Sequence, residues 1–254
     1  MQPLPRAILF DLDDTLISAY RNPERAWLIA AEELSAQLQP FGVVEVVRVI
    51  MVHANAFWAD PDRHRHFRMR LQESRRLIVR GALEALAAPS HPPLLEVSDR
   101  LADRFTRLRD EEMHLFPDAH AILDALKQTG VRLALVTNGP SELQRGKIAR
   151  FDLERRFDHI QIEGEHGFGK PDARAYLHAM QMLAVTASDT WMVGDNLEWE
   201  VAGPQRLGIH AVWHDVAGNG LPAGSTVRPD RTIRALRELL PPVPSQAGPT
   251  DQSR

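Results

Sequence analysis

Short apolar runs recur along the chain, and each of them ends at a cluster of polar residues. Ala7 to Phe10 ends at an acidic cluster, and Leu133 to Val136 ends at Thr137. Short runs bounded by polar residues are typical of strands that are buried on both faces of a sheet. The same pattern predicts three more strands, at about 158–162, 190–193 and 209–213.

Between these strands, apolar residues recur at three- and four-residue steps, which predicts helices at about 119–128, 141–150, 172–183, 199–206 and 231–239. Strands that alternate with helices form a parallel sheet covered on both faces. The predicted fold class is therefore α/β, with a doubly wound, Rossmann-like parallel-sheet core. Sheets of this kind bind ligands at the carboxyl ends of their strands.

The segment from about residue 22 to 113 follows a different pattern, because Ala, Leu, Glu and Arg dominate it and strand signals are few. We assign even the β-branched run from Val43 to Val52 to a helix. The chain is thus predicted to have an α-helical cap domain at 17–114, inserted into a core formed by 1–16 and 115–240. Residues 241–254 are rich in Pro, Ser, Gln and Gly and are predicted to be disordered.

The composition of the chain argues against several classes of function. Apolar residues make up 44% of the chain and charged residues 25%, as in ordinary soluble proteins. A net charge of -4 argues against nucleic acid as a partner, and the absence of cysteine excludes disulfides and thiolate chemistry. No run of 18 apolar residues is present, so we expect no membrane partner and a cytoplasmic location. The sequence carries no signal of the oligomeric state.

The acidic cluster after the first strand contains two carboxylates with catalytic potential. Asp11 and Asp13 are two residues apart, so in an extended chain they project to the same side while Leu12 enters the core. Their repulsion either raises one pKa or is offset by a bound cation. One carboxylate could then attack phosphorus, and the other could exchange protons with the leaving group and with water. A helix cap or an acidic turn is the alternative interpretation of these residues.

Three further strand ends carry polar residues. Thr137-Asn138-Gly139 precedes a helix, where free backbone N–H groups can bind an anion. Lys170 lies in a glycine-rich loop and is one of only three lysines among 30 basic residues, which favours a specific role as a point charge. Asp195, with Asn196 and Glu200 behind it, could supply oxygen ligands to Mg²⁺. An ordinary turn, a solvated cation and a helix cap are the respective alternatives.

Taken together, these motifs resemble those of the haloacid dehalogenase-like superfamily, in its branch with a helical cap after the first strand. The resemblance covers about residues 6–240 and rests on four motifs: Asp11-Leu12-Asp13-Asp14-Thr15, Thr137-Asn138-Gly139, Lys170-Pro171-Asp172, and Gly194-Asp195-Asn196 with Glu200. The spacing of Gln144 and Lys147 is also usual in this branch. The family usually has Asp where this chain has Glu200.

The resemblance implies a Mg²⁺-dependent phosphatase that hydrolyses a small phosphate monoester through an aspartyl-phosphate. It implies that Asp11 is the nucleophile, Asp13 the general acid and base, and Lys170 the residue that orients Asp11. The same resemblance places Mg²⁺ on Asp11, Asp13 and Asp195, with Asn196 and Glu200 behind these ligands. The substrate contacts that it implies are Thr15, Thr137, Asn138 and Lys170.

Two other functions stay open at this point: a phosphomutase of the same fold, and a non-catalytic phosphate-binding or regulatory protein. Dehalogenases of the family lack the second Asp, so Asp13 argues against that activity. The cap carries many Arg and His residues between 62 and 80. Most of them are expected on a solvated helix face, but one or two, together with Trp58, could face the substrate. The sequence does not select one phosphate ester.

Overall fold

The computed structural model describes residues 3–19, 22–86 and 93–241. The chain starts with strand β1 (Ala7–Phe10) and the short strand β2 (Ile17–Ser18), and then forms helices α1 (Pro23–Glu33), α2 (Val43–Ala59), α3 (Pro61–Phe67), α4 (Leu71–Leu86) and α5 (Pro93–Glu112). It continues with β3 (His114–Leu115), α6 (Ala119–Gln128), β4 (Arg132–Thr137), α7 (Ser141–Arg150), β5 (His159–Ile162), α8 (Glu163–His166), α9 (Ala173–Met182), β6 (Thr190–Gly194), a π-helical segment (Leu197–Ala202), α10 (Gly203–Gln205), β7 (His210–His214) and β8 (Arg231–Ile233).

The core is a parallel sheet of six strands in the order β5-β4-β1-β6-β7-β8. Successive residues of a strand point to opposite faces, and both faces of this sheet are buried. Ile8 and Phe10 pack with Leu123 on one face, whereas Leu9 packs with Tyr176 on the other. The predicted α/β doubly wound core is therefore confirmed.

Helices α1 to α5 pack around a hydrophobic cluster of their own, in which Trp27 stacks on Phe105 with ring centroids 3.6 Å apart. The β-branched run from Val43 is helical, as predicted, and it buries Val46, Val47 and Ile50. Both chain crossings between this helical segment and the sheet pass through one antiparallel ribbon, formed by β2 and β3.

The predicted helix at 231–239 is wrong. Residues 231–233 form strand β8 beside β7, and only Leu236–Leu239 form a short 3-10 turn. Ile233, Leu236 and Leu239 are all buried, and their three-residue spacing fits a strand followed by a turn as well as it fits a helix.

Two other predictions concern the C-terminal tail and membrane-spanning helices. The predicted disordered tail is, beyond residue 241, outside the described residues. Within the described residues, no helix is both long and apolar enough to cross a membrane.

Candidate active site

The carboxyl ends of β1, β4 and β6 meet beneath the helices of the cap, where they border a cavity of about 420 Å³. Parallel strands end on the same edge, so residues that are far apart in sequence come together there. The cavity wall contains all of these predicted site residues: Asp11, Asp13, Thr137, Asn138, Asp195, Asn196 and Glu200.

Asp11 is fixed by two buried neighbours. The ammonium Nζ of Lys170 lies 2.6 Å from Asp11 Oδ1, and the hydroxyl of Thr15 donates to Asp11 Oδ2 at 3.0 Å. Lys170 is completely buried, and its Nζ also lies 2.8 Å from Glu200 Oε1. Thr15 is fully buried too, so the structure places it against Asp11 rather than in the cavity wall where a substrate contact was expected.

Burial changes the ionisation of this group of residues. It raises the pKa of Asp11 above its ordinary value, against the opposing effect of the Lys170 ammonium. Burial also raises the pKa of Asp195 to about 9 and that of Glu200 to about 7. For Lys170, burial favours the neutral form, but the carboxylates of Asp11 and Glu200 raise its pKa above the usual range. One buried ammonium therefore pairs with two carboxyl groups, and a third, that of Asp195, lies close enough for its pKa to be affected by them.

This donor set fits Mg²⁺, although no metal ion is part of the structure. Within the described part of the chain, no hydrogen bond reaches the side chain of Asp195, whose pKa is raised by burial and by nearby carboxyl groups. A divalent cation would lower that pKa and balance the excess negative charge, and carboxylate oxygens are the ligands it takes.

Asp13 is held by helix α7. Lys147 Nζ lies 2.7 and 2.8 Å from its two carboxylate oxygens, and Gln144 Nε2 donates to Asp13 Oδ2 at 3.0 Å. Gln144 Nε2 also contacts Thr137 Oγ1 at 2.5 Å, which ties the end of β4 to Asp13. A carboxylate in this position can accept a proton from water or return one to a leaving group, once Lys147 no longer holds it.

Asn138 has a role that the sequence did not reveal. Its side chain accepts from the backbone N–H of Lys170 at 2.8 Å and donates to the backbone carbonyl of the same residue at 2.7 Å. This reciprocal pair fixes the loop that carries Lys170. The side chain of Asn196 caps the next helical segment by accepting from Glu198 N and Trp199 N, and Asn196 N donates to Glu200 Oε2 at 2.8 Å.

Comparison with known proteins identifies the family. A model described as haloacid dehalogenase-like hydrolase matches residues 5–208 of the chain. The chain is a haloacid dehalogenase-like hydrolase. It is 36% identical over 190 residues to phosphoserine phosphatase of Thermus thermophilus, covering 74% of this chain and 68% of that protein. It is 30% identical over 243 residues to N-acylneuraminate-9-phosphatase of Rattus norvegicus, covering 92% of each.

Solved structures of the same family share the fold. The HAD-hydrolase YfnB of Bacillus subtilis, bound to magnesium, matches with a TM-score of 0.68 at 22% identity, over 93% of this chain and 97% of that one. A 2-haloacid dehalogenase of Pseudomonas syringae matches with a TM-score of 0.57 at 26% identity, over 93% and 96%. The expected family is confirmed, and with its phosphatase relatives the hydrolase is an enzyme that acts on phosphoric monoesters.

The cap of the hydrolase contributes its own residues to the cavity. Of the Arg and His residues between 62 and 80, His64, Arg68 and Arg75 line the wall, together with Trp58. Arg63 and Arg65 are exposed and form ion pairs with Asp60 and Asp62 beside them, as the solvated-face interpretation predicts.

Arg68 joins the cap to the core through a partner that the sequence analysis missed. Its Nη2 lies 2.5 Å from Glu163 Oε1, and its Nη1 donates to the carbonyl of Lys170 at 3.3 Å. Glu163 is buried and accepts from the backbone N–H of Gly139 at 3.2 Å through its other oxygen. Its position directly after strand β5 was the one available signal.

We expect Arg68→Ala to lower kcat/KM of the hydrolase by about 10-fold or more, because leaving the buried Glu163 carboxylate without the partly buried Arg68 cation costs at least about 1.5 kcal/mol. The change removes the contact of the cap with the Lys170 loop and leaves Glu163 without its cation. Steady-state kinetics would measure it, with Arg65→Ala three residues earlier as the control, since loss of that exposed ion pair is expected to alter kcat/KM less than about 2-fold. Equal effects of both changes would contradict the assigned role of Arg68.

Proposed function

We propose that this hydrolase is a Mg²⁺-dependent phosphatase that transfers the phosphoryl group of a small phosphate monoester to Asp11 and then to water. The observation that carries the proposal is the environment of Asp11. Its carboxylate is held by Lys170 and Thr15 at the wall of the cavity, with Asp13 and Asp195 on the same wall. A nucleophile, a proton carrier and a cation ligand are thereby available to one bound phosphate.

In the first step, an oxygen of Asp11 attacks phosphorus, and the bond from phosphorus to the ester oxygen breaks. Lys170 and Thr15 hold Asp11 in place, which reduces the entropy cost of reaching the attack geometry. The departing oxygen leaves as an alcohol by taking a proton from Asp13. Lys147 and Gln144 bind the Asp13 carboxylate in the present structure, so Asp13 must leave them to act as the acid.

In the second step, water attacks the phosphorus of the aspartyl-phosphate and releases inorganic phosphate. Asp13, deprotonated after the first step, removes the proton of that water, so the carboxyl group returns to its initial state. The backbone N–H groups at the end of β4, beside Thr137 and Asn138, can bind the phosphoryl oxygens.

Mg²⁺ would be held by the side chains of Asp11 and Asp195 and by the backbone carbonyl of Asp13. When bound, the ion supplies positive charge that offsets the repulsion between the phosphate and these carboxylates.

Phosphate release from a panel of esters tests this function. The panel contains phosphoserine, N-acylneuraminate 9-phosphate and p-nitrophenyl phosphate, assayed with Mg²⁺ and with a chelator. We expect turnover that is lost with chelator and restored by Mg²⁺, and the ranking of esters defines the cap's preference. Activity unchanged by chelator would contradict the metal requirement. No turnover of any ester would favour a binding protein, and dependence on a bisphosphate activator would favour a phosphomutase.

A further inference from the structure

We propose that His159, His166 and His178 form a second metal site, separate from the carboxylate site and suited to Zn²⁺ or a similar transition-metal ion. One ring nitrogen from each of the three lies within 4.8 Å of one from each of the others. The ring centroids are 5.0 Å apart for His166 and His178, and 5.4 Å apart for His159 and His178.

The fold brings these histidines together from three elements. His159 is the first residue of the edge strand β5, His166 is the last residue of α8, and His178 lies on α9, which packs over the same strand. All three side chains are half-buried, so a metal ion has access from solvent. None of these histidines belongs to the four sequence motifs of the active site.

Hydrogen bonds at Nδ1 of two of the rings leave Nε2 of each ring with a lone pair for a metal. Gln161 donates from Nε2 to the carbonyl of Ala175 at 2.8 Å, which directs its Oε1 to His178 Nδ1, also at 2.8 Å. An amide oxygen only accepts, so His178 Nδ1 carries the proton and Nε2 has the lone pair. His166 Nδ1 likewise donates to the carbonyl of Ile162 at 3.1 Å. Metal-binding histidines typically have such outer partners.

His159 supplies an independent indication of a ligand. Its Nε2 is buried and has no hydrogen-bond partner among the described residues. Burial lowers the pKa of His159 below its ordinary value, and the imidazole of His178 acts in the same direction while a hydrogen bond with Gln161 opposes it. A neutral imidazole with an unpartnered buried nitrogen is the form that binds a metal ion.

The chemistry of the donors selects the metal. Three imidazole nitrogens suit Zn²⁺, Co²⁺, Ni²⁺ or Cu²⁺, whereas Mg²⁺ prefers oxygen ligands. Zn–N bonds of about 2.0–2.1 Å imply nitrogens roughly 3.4 Å apart in tetrahedral geometry. In the structure these nitrogens are up to 4.8 Å apart. Side-chain rotations that bring the nitrogens about 1 Å closer together would reach the metal-bound spacing.

The position of the site also links it to the active site. His166 is followed by Gly167 and Phe168, and the same loop leads to Lys170. The ring of Phe168 contacts both His166 and His178, at centroid distances of 5.9 and 6.0 Å. A metal ion at the three histidines would therefore fix the start of the loop that holds Lys170 against Asp11.

Titration of the full chain with Zn²⁺ and with Co²⁺, in excess Mg²⁺, tests the proposal. We expect one Zn²⁺ per chain, the visible absorption of Co²⁺ bound to nitrogen ligands, and a rise in Tm with Zn²⁺ concentration. His166→Asn and His178→Asn should each weaken binding about 100-fold or more. Gln161→Leu should weaken it about 10–100-fold, because it removes only an outer partner. Circular dichroism verifies that each variant is folded.

Two controls separate this site from others on the chain. His114→Asn alters an exposed histidine outside the cluster and is expected to bind Zn²⁺ as the wild type does. Asp195→Asn alters the carboxylate site and is also expected to keep the bound Zn²⁺. Wild-type chain that takes up no Zn²⁺ in excess Mg²⁺ would overturn the proposal. Binding lost in Asp195→Asn but kept in His166→Asn and His178→Asn would overturn it equally, whether or not the enzyme proves to be a phosphatase.

Discussion

Asp11→Asn is expected to lower kcat for every ester that the enzyme hydrolyses by at least about 10³-fold, because it removes the nucleophile as well as one proposed carboxylate ligand of Mg²⁺. The amide has nearly the shape of the carboxylate, so Thr15 and the cavity wall are retained. Substrate binding should therefore change far less than turnover. Phosphate release and substrate binding would be measured separately on the same variant.

Asp189→Asn is the matched control for this change. Asp189 directly precedes β6, at the amino ends of the strands and away from the active site, where its carboxylate is 3.5 Å from Arg6 and partly exposed. Removing such a surface ion pair costs about 1 kcal/mol or less, and turnover should stay within about 2-fold of wild type. Turnover in Asp11→Asn that is close to wild type would show that another group attacks phosphorus.

Lys170→Met is expected to destabilise the chain by about 3–5 kcal/mol in chelator, as well as to abolish turnover. The change leaves the buried carboxylates of Asp11 and Glu200 without the ammonium that lies 2.6 and 2.8 Å from them. Breaking a buried ion pair from one side is costly because an uncompensated charge stays in the interior. Urea unfolding followed by circular dichroism would measure the loss.

Two further variants make this result specific. Lys127→Met removes a half-exposed lysine that pairs with Asp158, and it should cost about 1 kcal/mol or less. Glu200→Gln, added to Lys170→Met, removes one of the two stranded carboxylates and should restore part of the lost stability. Additive effects of the two changes would contradict the proposed coupling of Lys170 to Glu200.

The sequence predicted the parts of the fold in which local pattern and tertiary packing agree. The apolar runs Ala7–Phe10 and Leu133–Val136 require burial on both faces, so their strands follow directly, as does the meeting of their carboxyl ends. The prediction of a helix at 231–239 was wrong because apolar residues at three-residue spacing occur both in a helix and in a strand followed by a turn. Pairing with β7 decides between them, and that contact is not local.

Some features of the active site could likewise be predicted from the sequence, and others could not. Residues at strand ends could be predicted because a parallel sheet gathers them at one edge. The pairing of Arg68 with Glu163 joins positions 95 residues apart and depends on how the cap docks, which no local pattern records. The two hydrogen bonds between the Asn138 side chain and the backbone of Lys170 likewise depend on a loop conformation that is set by tertiary contacts.

The most direct test of the account is a rapid-mixing experiment on Asp13→Asn with p-nitrophenyl phosphate and Mg²⁺. Nitrophenolate leaves without a proton, so the first step should proceed, whereas attack by water lacks its base. We predict a burst of about one nitrophenolate per chain, and mass spectrometry of the quenched protein should locate one phosphoryl group on Asp11. Full turnover of Asp13→Asn with no burst and no modified Asp11 would contradict the aspartyl-phosphate mechanism.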